Sequence, residues 1–312
     1  VIDVLVAGGG PAGLATAIGC ALAGLSVTVA EPRPGPVDKA CGEGVMPAAL
    51  RRLAVLGVTP EGHPLRGIRY LDQHHRADAR FRHGDGRGVR RTVLQAALAA
   101  RAAALGIPVL PVRVTTVEQQ SGHVTAAGLE ARYLVAADGL HSPVRRALEH
   151  GPYPPRPRLG PSLHASALSR PGLLPRSRPP ERAGPLPRYG LRRHYHVSPW
   201  TDLVEVYWAA GAEAYVTPVC GTEVGVAVLF DRPQDGQLRD GQLRDGGSAG
   251  RGGAFEDRLA AFPALRERLG AALPASAVRG AGPLRQDVRR RVYGRVLLVG
   301  DASGYLDALT GE

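Results

Sequence analysis

Lysine is almost missing from this 312-residue chain: Lys39 is the only one, and all the other basic residues among the 39 Lys and Arg are arginines. They are scattered through Ala-, Gly- and Pro-rich sequence, so the formal net charge of +11 reads as a coding bias. There is no basic stripe, and aromatics make up only 5% of the chain, so no nucleic-acid partner is expected. Cysteine is scarce too. Cys20, Cys41 and Cys220 show neither metal-ligand spacing nor a paired framework, which excludes a disulfide scaffold and a zinc module and points to a reduced, cytoplasmic setting. No window reaches the roughly 18 continuous apolar residues of a membrane span. The apolar N-terminal stretch lacks the basic flank of a signal peptide. The chain starts without Met and stops at LTGE, so a trimmed or incomplete polypeptide is expected.

What is present is aliphatic. Hydrophobic residues make up 44% of the chain and mean hydropathy is −0.10, enough for a globular core, and the length calls for two lobes, which can be interwoven along the chain. The opening VIDVLVAGGGPAGLATAIGCALAGLSVTVAEP carries the first functional signal. A β-branched run, Ile2 to Ala7, enters Gly8-Gly9-Gly10-Pro11-Ala12-Gly13, an uncharged helix follows over 12–23, and Ser26 to Ala30 supplies a second strand. In such a βαβ unit Gly8 permits the tight turn, Gly10 lets backbone approach a pyrophosphate, and Gly13 lets helix and strand close together. The helix start faces the phosphate charge. Glu31 ends the second strand about 20 residues past the glycines, where an acid accepts hydrogen bonds from a ribose. Dinucleotide binding follows, with FAD and NAD both open.

Two more strand ends carry acids. ARYLVAADGLHSPVRRAL places Asp138-Gly139 after a strand, with Ser142 as N-cap and Pro143 as first helical residue. GRVLLVGDASGYLDALTGE places Gly300-Asp301 after a strand over Val296 to Val299. Before both of them, GVRRTVLQAALAARAAALGIPV reads as a strand end and a long helix stopping at Gly106, with Arg91 and Gln95 one turn apart on a shared face, either one able to reach a cofactor.

With these three motifs in order, the chain resembles the FAD-dependent superfamily of aromatic hydroxylases, geranylgeranyl reductases and flavin-dependent halogenases. The resemblance implies a Rossmann-like α/β FAD-binding domain interwoven with a mixed, mainly antiparallel substrate sheet. It implies that Gly8, Gly10, Pro11, Ala12 and Gly13 hold the FAD pyrophosphate and that Glu31 and Arg33 lie at the adenosine ribose. Arg91 or Gln95 adds a contact, Asp138 and Gly139 lie at the dinucleotide, and Gly300 and Asp301 reach the ribityl chain. Thr310 and Gly311 fall near the flavin's pyrimidine edge. DKACGEGVMPAAL resembles the Cys-Gly stretch of the reductase branch, which brings Cys41 and Gly42 to the cofactor, and YLDALTGE resembles that branch's Pro-Leu-Thr-Gly-Glu with Ala308 in place of Pro.

The implied division is discontinuous: 1–65, 88–155 and 280–312 bind FAD, and 66–87 and 156–279 bind substrate. In the second part, Pro-rich runs read as irregular connections and the QLRDG repeat as a loop. DLVEVYWAA, EAYVTPV and EVGVAVLF read as an antiparallel meander roofing the flavin. Tyr207, Trp208 and Tyr215 are pocket candidates, against core packing as the commoner fate. Cys41 and Tyr215 are the candidate catalytic residues. Lys39 and Glu43 are weighed between a cofactor role and a solvated surface. His194 and His196 share a strand face and read as a surface pair, with no metal site.

The expectation is an FAD-dependent oxidoreductase, reduced by NAD(P)H, that hydroxylates a small apolar aromatic or polyketide-like molecule. Reduction of carbon-carbon double bonds is the alternative, and a non-catalytic FAD-binding module a further one. Halogenation ranks third for want of a Trp-rich motif, and a plain NAD-dependent dehydrogenase is opposed by the downstream Gly-Asp. A lipid substrate would bring peripheral membrane association; the oligomeric state is open.

Overall fold

The computed structural model describes residues 1–151, 188–231 and 248–306. The Pro-rich and QLRDG segments and the expected contacts at Thr310 and Gly311 lie outside the described residues.

The opening segment folds as the βαβ unit its pattern requires. Strands Ile2–Ala7 and Val27–Ala30 run parallel, Val4 opposite Val27 and Ala7 opposite Ala30, joined by helix Pro11–Leu22. Ile2–Ala7 is central in the sheet. It pairs on its other side with Leu129–Ala136, which pairs in turn with Val296–Leu298, both parallel. Val109–Leu110 adds a parallel strand beyond Val27–Ala30, and Val292–Tyr293 an antiparallel one at the opposite end. Buried strands alternate between two cores because successive side chains point to opposite faces. Leu5, Leu134 and Val296 join Val144 and Leu148 on one face. Val4, Val6 and Val29 join Leu14, Ile18 and Leu98 on the other, where helices Pro11–Leu22 and Arg91–Ala104 pack together. All three acid-bearing junctions, at Glu31, Asp138 and Asp301, thus fall at the carboxyl ends of parallel strands, where open α/β sheets bind ligands.

A second sheet carries the expected meander, Leu203–Ala209, Ala212–Cys220 and Glu223–Asp231. Arg188–His196 pairs antiparallel with Glu223–Asp231, and Gly67–Leu71 runs parallel to Leu203–Ala209 with Arg76–Arg80 at the edge. Helices Ser248–Leu259 and Pro263–Leu269 cover one face, burying Phe255, Leu259 and Leu265 against Tyr195, Val226 and Phe230. The other face gathers Val204, Val206, Tyr215 and Leu229 with Leu284, and meets Leu140 and Tyr305 from segments beside the parallel sheet. A small sheet of Gly44–Val45, His63–Leu65 and Gly86–Gly88 fills the junction. Gly88 marks the tightest approach: a Cβ there would stand 1.7 Å from the Pro218 carbonyl oxygen. Among the described residues no helix is long and apolar enough to cross a membrane.

Candidate functional site

The glycine loop is built by steric necessity. Gly8 has φ +110°, and a Cβ on it would meet the Ala137 carbonyl oxygen at 2.5 Å. A Cβ on Gly13 would sit 1.9 Å from the Gly8 oxygen, so the helix presses directly on the turn. Gly10 is different. A Cβ there would meet only Arg91 Nη2, at 3.8 Å, because Gly10 faces an open cleft that it lines with Pro11 and Ala12. Arg33, Lys39 and Arg91 line the same cleft, as do Asp138, Gly139, Gly300 and Asp301 from the two downstream motifs. The three separated motifs therefore meet in one place.

Glu31 is buried at the rim. Gly9 N donates to its Oε2 at 2.9 Å, and Arg33 grips both oxygens, at 2.7 and 2.9 Å. Burial pushes this carboxyl up, but the Arg33 and backbone hydrogen bonds outweigh it and hold the pKa below the ordinary range. Gln95 is buried and donates to Gly9 O at 3.2 Å. With Glu31, Gly35, Pro36 and Val109 it lines a second hollow, whereas Arg91, one turn earlier, lines the cleft.

Asp138 accepts from Val144 N through Oδ2 at 3.3 Å, while its Oδ1 is buried without a hydrogen-bond partner. Burial pushes its pKa up in spite of hydrogen bonds from Ser142 and Val144 N. Ser142 caps helix Pro143–Glu149 as expected, accepting from Arg145 N at 2.9 Å. Arg145, which sequence reasoning passed over, is buried. Its guanidinium donates to Leu140 O, Gln286 Oε1, Ala302 O and Asp301 O at 2.8 to 3.4 Å, tying the Asp138 junction to the Asp301 junction. The available signal was an arginine in the first turn of a Ser-Pro-capped helix beside Asp-Gly.

Beyond the cleft, and sharing Arg91 and Asp301 with it, lies a mostly apolar cavity of about 170 Å³, room for a single benzene-sized ring. Cys41, Gly42, Leu191, Tyr215, Ala227 and Leu229 line it. Cys41 Sγ accepts from Glu43 N at 3.4 Å, and Tyr215 donates to Glu213 Oε2 at 2.7 Å. Of the other aromatic candidates, Tyr207 is core, with its hydroxyl on Glu205, and Trp208 is exposed at the far end of its strand.

One surface reading is corrected, and the open choice for Glu43 and Lys39 falls against a solvated surface. His194 is buried, with Nε2 2.6 Å from Glu43 Oε2, because a strand-face histidine here meets a loop from the parallel-sheet side; only His196 is exposed. Glu43 is equally buried and adopts φ +61°, a strained conformation for a non-glycine residue that its partners impose: Arg91 N donates to Oε1 at 2.9 Å, and the fully buried Arg192 lies 3.9 Å away. Lys39 is in the cleft and half-buried. No group of three or more His, Cys, Asp or Glu that could hold a metal occurs among the described residues.

A parallel sheet with a glycine loop at a helix start, an acid after the second strand, and two acid-bearing strand ends across one cleft define a dinucleotide-binding α/β protein. Residues 1–156 match the family model described as FAD binding domain, and the chain belongs to that family, one of oxidoreductase-type flavoproteins. A 56-residue stretch is 48% identical to a menaquinone reductase of Mycolicibacterium smegmatis, over 18% of this chain and 14% of the relative; the match spans only that small share of the curated protein. The fold is similar to that of the myxobacterial chondrochloren halogenase CndH, an FAD-dependent halogenase (TM-score 0.75, 17% identity, 99% of this chain and 70% of that one). It is also similar to Klebsiella pneumoniae HpxO complexed with FAD (TM-score 0.67, 19% identity, 100% and 77%). FAD suits the cleft seen here: the unpartnered Asp138 Oδ1 awaits a hydroxyl donor, and the open side of Gly10, flanked by cations, awaits a phosphate.

Proposed function

We propose that this chain forms the cofactor- and substrate-binding part of an FAD-dependent monooxygenase that takes reducing equivalents from NAD(P)H and hydroxylates a small apolar aromatic or polyketide-like molecule. The observation that carries this reading is the apolar cavity opening directly onto the cleft of the three motifs, with Arg91 and Asp301 lining both. On this reading 1–65, 88–155 and 280–312 serve FAD, and 66–87 and 156–279 serve substrate. Reduced FAD, when bound, supplies the electrons that activate O2. The chain supplies position and dryness. Gly10 and the helix start hold phosphate, Glu31 and Asp138 accept from cofactor hydroxyls, and Leu191, Ala227 and Leu229 keep water from the substrate.

A second reading, reduction of a carbon-carbon double bond, is favoured by the 48% identity to a menaquinone reductase and by the Cys41-Gly42 loop lining the cavity. One experiment separates the two. Purified full-length protein, expected to be yellow, is reduced anaerobically with NADPH and then given 18O2 with a panel of phenols, or menaquinone without O2. Monooxygenation puts one labelled oxygen into a phenol; reduction of a carbon-carbon double bond adds two hydrogens to menaquinone that remain after the ring is reoxidised to the quinone. Protein that stays colourless after incubation with FAD rules out both.

A further inference from the structure

Strand Glu223–Asp231 lies inside the antiparallel sheet, between Arg188–His196 and Ala212–Cys220, and between its two end residues every residue but one is buried. The exception is Ala227. Its side chain falls on the face shared with Gly225 and Leu229, because successive residues of a strand alternate between faces. On either side of it that face is filled. Glu43 Oε2 stands 2.9 Å from where a Cβ on Gly225 would be, and Leu229 clusters with Leu284. Over Ala227 there is the cavity.

The walls of this gap are fixed. Directly opposite Ala227 in the register stand Arg192 and Tyr215 on the two neighbouring strands, both buried. Neither is free to fold over the methyl group. Arg192 donates to Lys39 O at 3.0 Å and pairs with Asp38, and Tyr215 donates to Glu213 Oε2 at 2.7 Å. Ala40, Cys41 and Gly42 form the facing wall, tied at one end by Asp38 to Arg279 at 3.0 Å and at the other by Thr217, which donates to Gly42 O at 2.7 Å. Two large side chains therefore flank one small one beneath a tethered loop, and the cavity of about 170 Å³ has the size of a single ring.

We propose that Ala227 determines which substrates the cavity admits: its methyl group is the floor on which one flat ring lies, and fused-ring molecules are excluded. The proposal rests on the monooxygenase reading above and narrows its substrates to monocyclic aromatics. A second fused ring adds apolar surface and by area alone tightens binding, so a preference for one ring has to come from shape. One methylene too many in a hydrophobic pocket already discriminates by about tenfold or more.

Phenol and 2-naphthol, one ring and two, are titrated into oxidised FAD-loaded full-length protein, with dissociation constants read from the flavin absorbance shift, and into FAD-free protein by calorimetry. Wild type should bind phenol about tenfold more tightly than 2-naphthol. Ala227→Leu replaces the methyl by an isobutyl group, and it should weaken phenol by about tenfold or more while leaving FAD affinity within about twofold. Ala227→Gly should bring 2-naphthol to within about threefold of phenol. If Ala227→Leu fails to fold, the Ala227→Gly ratio decides alone. Wild-type protein that binds no FAD removes the underlying reading. If wild type binds FAD, the proposal alone is overturned by wild type that takes neither probe or takes 2-naphthol as tightly as phenol, by an unchanged phenol affinity in folded Ala227→Leu, or by an unchanged ratio in Ala227→Gly. Phenol that binds FAD-free protein and is displaced by FAD overturns it too, because the space then belongs to the flavin.

Discussion

Two carboxylates of the cleft illustrate how burial and hydrogen bonding decide what a residue is for. Glu31 is buried but satisfied, and its pKa lies below the ordinary range; it stabilises the fold above that range, and the contribution is lost as pH falls through the folded value. Asp138 is buried but half-satisfied, and its pKa is raised. The sign reverses. The folded protein holds a proton there that the unfolded chain has released, so stability falls as pH rises from the ordinary carboxylate range through the folded pKa. Asp138→Asn should therefore stabilise the empty protein by about 1 kcal/mol at pH 7 and remove that slope, while weakening FAD. Urea midpoints between pH 4 and 8, with and without FAD, check both. A variant less stable than wild type at pH 7 would mean that the native carboxylate is satisfied by something other than cofactor.

At the scale of elements, helix Pro143–Glu149 shows how a short segment joins two motifs. Seven residues cannot hold a helix in water unaided. Ser142 supplies the cap and Arg145 the tertiary anchor, donating to acceptors around both Leu140 and Asp301. Ser142→Ala should cost about 1 kcal/mol with FAD affinity nearly kept. Arg145→Ala strands several buried carbonyls and releases the Asp301 turn from the Asp138 junction, so it should cost about 3 kcal/mol and also weaken FAD. Denaturation midpoints and FAD titrations on the two variants distinguish a cap from a tie. The cap was legible in the sequence because Ser-Pro before an apolar helical run is a local pattern, as were the glycine loop, Glu31 and the meander strands. Arg145 and the Glu43–His194 pair were not legible. The partners that matter, Gln286 and the Asp301 turn for Arg145 and each member of the pair for the other, lie more than a hundred residues away, and nothing local separates a buried strand histidine from an exposed one.

For the whole molecule, that pair fastens the two large sheets together. His194 lies on the antiparallel sheet, and Glu43 on the loop after the second parallel strand; Glu43 also accepts from Arg91 N, whose side chain lines both cleft and cavity. Thr217 of the antiparallel sheet donates to Gly42 O at 2.7 Å, and a Cβ on Gly225 would stand 2.9 Å from Glu43 Oε2, so that sheet is shaped to receive the loop. Glu43→Ala removes the buried carboxylate that His194 and Arg91 N share, while Arg192 keeps Asp38, and should cost about 3 kcal/mol. His194→Leu should cost about 2 kcal/mol, and the double variant should fall short of the sum by at least about 1 kcal/mol, because each single change already breaks the shared contact. Glu43→Ala should also weaken FAD, since the start of helix Arg91–Ala104 loses its acceptor, and His194→Leu should do so less, since Glu43 keeps its contact to Arg91 N and loses only the partner of Oε2. Additivity within about 0.5 kcal/mol, with FAD affinity unchanged, would show that the two sheets fold side by side as independent units and that Arg91 is set by its own helix alone.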